Sequence, residues 1–329
     1  MSAYADMHCD SLLRAFIEGD DSLYNGKGMQ SIEKMARTGQ LLQFFAIFFP
    51  PINGIKMMAE KAGKEVPDDD AFYDQLRNTL ISQVEKHSDV IVIAGNGRDV
   101  RSNKEKGFGS AILTLEDGRF VNGDMDKLSK LYRDGVRAIA LTWNDPNCFG
   151  FPNSREEEKM KLGLTDFGKE AVLEMNRLGI VVDVSHLSDG GFWDVVEISQ
   201  KPFIASHSNC RALTNHPRNL TDEMIRALAD KGGAVGINFG PDFVRMHEKD
   251  EFSRVEAIAD HMQHLINVGG EEVACIGTDF DGVGGKLEID SPEKMDLLFE
   301  ELRHRGISER VIDKVTSQNV LRILDTVIG

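Results

Sequence analysis

Five short segments of this 329-residue chain place imidazoles and carboxylates where they can hold a metal. "DMHCD" (6–10) sets His8 and Asp10 two residues apart, "LTLED" (113–117) carries Glu116, and "VSHLS" (184–188) carries His186. "ASHSN" (205–209) carries His207, and "TDFDG" (278–282) carries Asp279 and Asp281. Imidazole mixed with carboxylate suits zinc and similar divalent ions, whereas all-oxygen sets suit magnesium or calcium. Three histidines with Asp10 and Glu116 are too many for one four-coordinate ion that keeps an open position. They are about right for two ions ~3.5–4 Å apart sharing a carboxylate. Residues i and i+2 of a strand face the same way, so His8 and Asp10 can hold one ion. His186 and His207 can hold the other, with Glu116 between them. A hydroxide bridging two such ions is a nucleophile at neutral pH, because coordination lowers the pKa of water from 15.7 to near 7.

Such a set must be brought together by the elements that carry it. Short apolar runs rich in β-branched and aromatic residues occur at 3–8, 40–48, 110–116, 136–143, 179–185, 202–207, 233–239 and 272–279. Amphipathic stretches lie between them, at 69–87, 165–178, 188–199, 221–230 and 254–268 among others, and several open on Ser/Thr-Asp, which favours an N-cap. Apolar strands alternating with helices imply a parallel sheet covered by helices. Eight such units predict an α/β fold of the (β/α)₈ TIM-barrel type, one metallo-hydrolase domain over 1–329, with its active site at the C-terminal face. "VIVIAG" (90–95) reads as a further short strand, so a doubly wound open sheet is the competing topology. The only glycine-rich candidate for a nucleotide-binding turn, "GNGR" (95–98), lacks the third glycine of a dinucleotide loop. In a barrel the strand ends build the site. The first predicted strand ends at His8 and Asp10, the third at Glu116, and the fourth at Trp143 and Asn144. The fifth ends at His186, the sixth at His207, and the eighth at Asp279 and Asp281.

Composition narrows the function classes. Hydrophobic residues make up 41% and charged ones 28%, enough for a sizeable core. A net charge of −16 argues against a nucleic-acid partner, which needs a clustered basic surface. No apolar run approaches the ~18 residues of a membrane helix, and "LLQFFAIFF" (41–49) stops at Pro50-Pro51. Cys9, Cys148, Cys210 and Cys275 show no CxxC spacing and suggest neither a zinc ribbon nor a disulfide framework. With no basic-then-apolar leader before His8, a reduced, cytoplasmic setting away from membranes is expected.

The same segments, with their flanks, resemble the renal (membrane) dipeptidase family, zinc peptidases on a (β/α)₈ barrel. "DMHCDSL" (6–12), "QFFAIF" (43–48), "LTLEDG" (113–118), "VVDVSHLSD" (181–189), "PFIASHSNCRAL" (202–213), "HPRNLTDE" (216–223), "DHMQHL" (260–265) and "IGTDFDGV" (276–283) carry the likeness over nearly the whole chain. The resemblance implies two zinc ions (or other divalent metals), with His8 and Asp10 on one, His186 and His207 on the other, and Glu116 bridging. It implies proton transfer to the leaving amine by Asp279. It also implies that Arg218 grips the substrate's terminal carboxylate, a role suited to a guanidinium fork. The expected activity is hydrolysis of dipeptides, including those with a D-residue at the C-terminus, by an enzyme that the family precedent makes a homodimer. One position departs: the family's mammalian members have a histidine after the fourth strand, thought to bind the scissile carbonyl, where this chain has Trp143. Asn144 or Asn147 can supply that hydrogen bond instead. Hydrolysis of another amide or of a lactone, and a metal-binding barrel without catalysis, are the competing readings.

Other residues have plainer roles available. His261 and His264, at i and i+3 of an outer helix, suit packing or support of the site. His216 lies beside Arg218, at the surface or near substrate. His87, His247 and His304 sit in charged, solvated stretches, and "NSREEEKMKLG" (153–163) reads as a solvated loop or lid. Asp183 faces the barrel interior by strand alternation and can orient a ligand histidine. Asp281 is expected to cap a helix or bond amides in its own turn. Met7 and Cys9 are expected to turn together to the packed face.

Overall fold

The computed structural model describes residues 3–245 and 251–329; His247 lies outside them. The strands are β1 (Ala5–Cys9), β2 (Leu42–Phe48), β3 (Ile91–Ile93), β4 (Gly109–Glu116), β5 (Val136–Ala140) and β6 (Val181–Asp183). They continue as β7 (Ile204–Ala205), β8 (Ala234–Ile237), β9 (Phe252–Ser253), β10 (Ala274–Ile276) and β11 (Lys286–Leu287). Parallel pairing runs β1–β2–β4–β5–β6–β7–β8–β10 and returns from β10 to β1, which closes an eight-stranded barrel. The competing open sheet is thereby ruled out. The short run at 91–93 is a real strand, but it pairs only with the first residues of β4 (Ile91 with Gly109, Ile93 with Ala111), outside the ring. β5 takes over the same edge of β4 from Leu113 onward. β9 and β11 form a separate two-stranded ribbon.

The helices between strands begin where cap chemistry predicts. Asp68, Thr165, Ser188 and Thr221 each accept a hydrogen bond from an amide three residues on, opening the helices Asp69–Lys86, Asp166–Leu178, Asp189–Ile198 and Asp222–Asp230. Their apolar faces pack on the outside of the barrel in a core that includes Phe45, Leu113, Ile139 and Val182. A second core fills the barrel. Met7, Phe44, Ile112, Ala138, Val181, Ile204, Ala234 and Cys275, one from each barrel strand, meet Val320, Ile323 and Leu324 of the C-terminal helix Asn319–Val327, which plugs one end. The opposite end, where the strands finish, is left for the site.

The register of β1 slips between Asp6 and Cys9, where three steps on β1 match two on β2. Met7 therefore joins the barrel interior and Cys9 the outer core. The expectation that both turn to one face is corrected: a bulge resets the alternation and re-aims a side chain, as bulges beside active sites do. Cys9 and the three other cysteines are free. No described helix is long and apolar enough to cross a membrane.

Candidate metal centre and substrate cleft

The strand ends deliver the predicted residues to one place. His8, Asp10, Glu116, His186, His207 and Asp279 are all buried there. Glu116, the last residue of β4, stands in the middle with its two oxygens turned to different partners. Oε2 lies 3.3 Å from His8 Nε2, while Oε1 lies 3.0 Å from His186 Nε2 and 3.4 Å from His207 Nε2. His8 Nε2 is also 3.6 Å from Asp10 Oδ2 and 3.8 Å from Asp279 Oδ1. His8–Glu116–His207 and His8–Asp10–Asp279 each gather ligand atoms closely enough for one ion.

Local backbone geometry aims two of these groups. His186 (φ 70°) and Asp279 (φ 60°) both adopt the left-handed conformation, uncommon for non-glycine residues, three residues beyond the ends of their strands. Such conformations persist where the surroundings hold them, and they cluster at functional sites. His186 is held from several sides. Asn144 Oδ1 lies 3.3 Å from its Nδ1, and Asn153 donates to its carbonyl from both the backbone (2.7 Å) and the side chain. The charged 153–163 segment is thus anchored at Asn153 and at buried Met160, while its charges face solvent.

Several features fit a divalent metal. Buried His8 Nε2 and Asp10 Oδ1 have no hydrogen-bond partner among the described residues. The His186 and His207 Nε2 atoms face each other at 3.0 Å, an arrangement that a shared cation would stabilise. Burial pushes the His186 imidazole down to about 4 and the His207 imidazole well below its usual range, which favours the neutral form a ligand needs. Burial opposes the Glu116 charge, but His8 and the neighbouring His186 and His207 imidazoles hold its carboxyl well below the usual range. His8 itself is disfavoured as a cation by burial, yet Glu116 and Asp10 raise it well above the ordinary imidazole value. Carboxylates that hold a proton on a buried imidazole are suited to holding a cation in its place.

Above this floor lies a cleft of about 530 Å³, within the range of small-molecule sites. Leu13, Phe48, Met58 and Trp143 line one part, and His216, Arg218 and Phe243 another. Arg218 is 7% exposed. It donates to the His207 carbonyl (3.1 Å) and Ser208 Oγ (3.3 Å), and its Nε has no partner among the described residues. Burial lowers this guanidinium to about 10, the mark of a cation short of counter-charge. Burial pushes the Asp279 carboxyl up to about 8 against the opposing His8 charge, with the Asp10 and Glu116 charges adding to the rise; Asn238 donates to it at 2.7 Å.

Residues 2–328 match the membrane dipeptidase family, peptidase family M19. The chain belongs to that family. It is a metallo-dipeptidase. It is 34% identical over 265 residues to the dipeptidase verJ of Clonostachys rogersoniana, a match covering 78% of this chain and 67% of that one. A crystal structure of a metallopeptidase of the same family, dipeptidase AC, superposes with a TM-score of 0.87 at 28% identity, covering 99% of both chains. A metallopeptidase from Rhodobacter sphaeroides, liganded with a phosphinate mimic of the dipeptide L-Ala-D-Ala, superposes with a TM-score of 0.86 at 27% identity, again over 99% of each chain.

The structure redistributes some of the expected roles. Asn147 is consumed by the fold: its amide donates to Asp117 and to the Leu141 carbonyl, and its oxygen accepts from the Phe149 amide. It is therefore no candidate for an oxyanion donor, while Asn144 remains at the cleft edge. Trp143 is half-buried, with its ring 4.9 Å from Phe48 and 6.0 Å from His186, so it walls the cleft beside a ligand. Asp281 does not serve its own turn. It accepts from Ser11 Oγ (2.6 Å), Arg14 Nε (3.0 Å) and the Met29 amide (2.6 Å), tying three segments together at the rim. His216 lines the cleft. His261 packs inside, accepting from the Cys210 amide, and His264 pairs with Asp222; neither joins the metal centre. His87 is half-buried and stacks on Tyr24, whereas His304 is exposed. Sequence reasoning missed Asp6, Ser206, Asn238 and Gly282. Asp6 shares the alternation of His8 and Asp10 in "DMHCD", and that signal was available.

Proposed function

We propose that this chain is a binuclear zinc dipeptidase that accepts dipeptides with a free C-terminal carboxylate, including those ending in a D-residue. The observation that carries the reading is the division of Glu116, with one oxygen turned to His8 and the other to His186 and His207. A carboxylate so placed is suited to bridging two ions, with His8 and Asp10 holding one and His186 and His207 the other. When bound, the ions supply a water deprotonated near neutral pH as the nucleophile and a polarised substrate carbonyl.

The chain's own residues do the rest. Arg218, buried with its Nε free, is placed to fix the substrate's terminal carboxylate. A carboxylate gripped there limits the reach to the floor, which favours very short peptides. Asp279, at the floor and held by Asn238, is placed to hold a proton and pass it to the departing amine. The apolar wall of Leu13, Phe48, Met58 and Trp143 suits an apolar N-terminal side chain. The phosphinate mimic of L-Ala-D-Ala named for the Rhodobacter sphaeroides relative supports the D-residue reading.

Metal analysis combined with a substrate panel tests the proposal. About two zinc ions per chain are expected, with hydrolysis of L-Ala-D-Ala and L,L-dipeptides, far slower turnover of C-terminally amidated analogues and tripeptides, and loss of activity on chelation. A metal content well under one per chain, or faster hydrolysis of lactones than of any dipeptide, would overturn it.

A further inference from the structure

The same hydrogen-bonding device occurs twice, on opposite sides of the barrel, each time beneath metal-facing groups. On β1, buried Asp6 accepts at Oδ1 from the His8 amide (3.2 Å) and the Thr278 amide (3.0 Å), and at Oδ2 from Thr278 Oγ1 (2.7 Å). On β6, buried Asp183 accepts at Oδ1 from the Ser185 amide (2.9 Å) and the Ser206 amide (2.9 Å), and at Oδ2 from Ser206 Oγ (2.5 Å). Each carboxylate takes the amide two residues ahead on its own strand, then an amide and the hydroxyl of the same residue beside it. Thr278 immediately precedes Asp279, and Ser206 immediately precedes His207. One staple thus joins the segments bearing His8, Asp10 and Asp279, and the other joins those bearing His186 and His207.

The two differ at the hydroxyl. Thr278 Oγ1 accepts next from a backbone amide, that of Phe280 (3.2 Å). Ser206 Oγ instead lies 2.7 Å from His207 Nδ1, with the Ser185 hydroxyl a more distant neighbour at 3.4 Å. A serine hydroxyl has one proton, and an ionised carboxylate can only accept it. With that proton on Asp183, the Ser206 oxygen can only accept from His207, so the imidazole carries its proton on Nδ1. Nε2, which faces Glu116 and His186, is then left with its lone pair free.

We propose that Asp6 and Asp183 are paired positioning residues, one for each metal subsite, and that Asp183 additionally selects, through Ser206, the metal-binding tautomer of His207. The proposal rests on His207 being a metal ligand. Replacing Asp183 by Asn puts an amide N–H against Ser206 Oγ. The hydroxyl proton then turns toward His207 Nδ1, and the imidazole proton is displaced to Nε2, the atom required for the metal. Partners of this kind are typically worth about 10–100-fold in metal affinity.

The test uses full-length protein carrying 15N-labelled histidine, first metal-free and then titrated with zinc ion alone, with the His8 and His207 ring nitrogens followed separately. Wild type is expected to show His207 protonated at Nδ1. Asp183→Asn should move that proton to Nε2 and weaken zinc at His207 by about 10–100-fold, while His8 titrates as in wild type. Asp6→Asn should do the reverse, weakening zinc at His8 and leaving the His207 tautomer unchanged. Ser206→Ala keeps the backbone staple and removes only the relay. It should abolish the tautomer preference, and it carries the test if Asp183→Asn fails to fold. An unchanged His207 tautomer in both Asp183→Asn and Ser206→Ala would overturn the proposal, as would wild-type zinc affinity at both histidines. Failure of wild type to bind zinc at all would instead refute the binuclear zinc reading, and the tautomer measurement would remain a separate result.

Discussion

Gly282 offers a perturbation that separates the site from the fold. A methyl group built on its Cα would lie 2.0 Å from Asp10 Oδ2 and 2.3 Å from Asp279 Oδ1, against an ordinary contact distance of 3.4 Å or more. No main-chain atom is among its three nearest neighbours; the intruded groups are the ends of two short side chains. The fold can accommodate Gly282→Ala by turning those carboxylates aside, so the midpoint of thermal unfolding is expected to stay within a few degrees, about 1 kcal/mol for a chain of this size. The site cannot. Both carboxylates must retreat by about 1 Å or more, and a misplacement of that size costs about 100-fold in rate. Zinc content, kcat/KM for L-Ala-D-Ala and thermal unfolding should be measured on one preparation of each protein. The expected result is kcat/KM lower by about 100-fold or more and weakened metal retention, with near-native stability. A variant that keeps full metal and a kcat/KM within about threefold of wild type would show that Asp10 and Asp279 are not held where the chemistry needs them. A large loss of stability would show that the cradle supports the fold instead.

Three further outcomes follow from the geometry. Arg218→Ala should lower kcat/KM for dipeptides by about 10–100-fold, the worth of a charge-assisted hydrogen bond, and erase the preference for a free over an amidated C-terminus; a retained preference would refute the assignment. Asp279→Asn should lower kcat by about 100- to 10,000-fold, as for loss of a general acid–base, with zinc content unchanged by elemental analysis. Burial lowers the His261 imidazole to about 4. The unfolded chain, with an imidazole near 6.5, therefore binds the proton more readily between those values. The neutral ring's contribution is complete above pH 6.5 and declines as the pH falls toward 4, by at most about 3 kcal/mol. The stability gap between wild type and His261→Gln in urea unfolding should accordingly narrow from pH 7 to pH 4.5, and a gap independent of pH would contradict it.

Much of this protein could be read along the chain because its information is local and periodic. Apolar runs alternating with capped amphipathic stretches determine eight β/α units, and a barrel of such units displays whatever ends its strands. His8, Asp10, Glu116, His186, His207 and Asp279 were therefore nameable by position before any distance was known. The limits of that reading lie where a residue's role is set by a partner far away in sequence. Alternation put Met7 and Cys9 on one face, but a register slip against β2 separates them. Asn147 looked available for catalysis until Asp117 and the Leu141 carbonyl took its amide. Asp281 looked like a turn residue until Ser11, Arg14 and Met29 converged on it. Types, order and strand-end placement belong to the sequence by itself, because side-chain direction and capping act over a few residues. The division of Glu116 between two sets of imidazoles, the cradle at Gly282 and the two aspartate staples were decided only by the tertiary structure. Each depends on angstrom-scale distances between strands far apart in the chain, and only the closed barrel sets those distances.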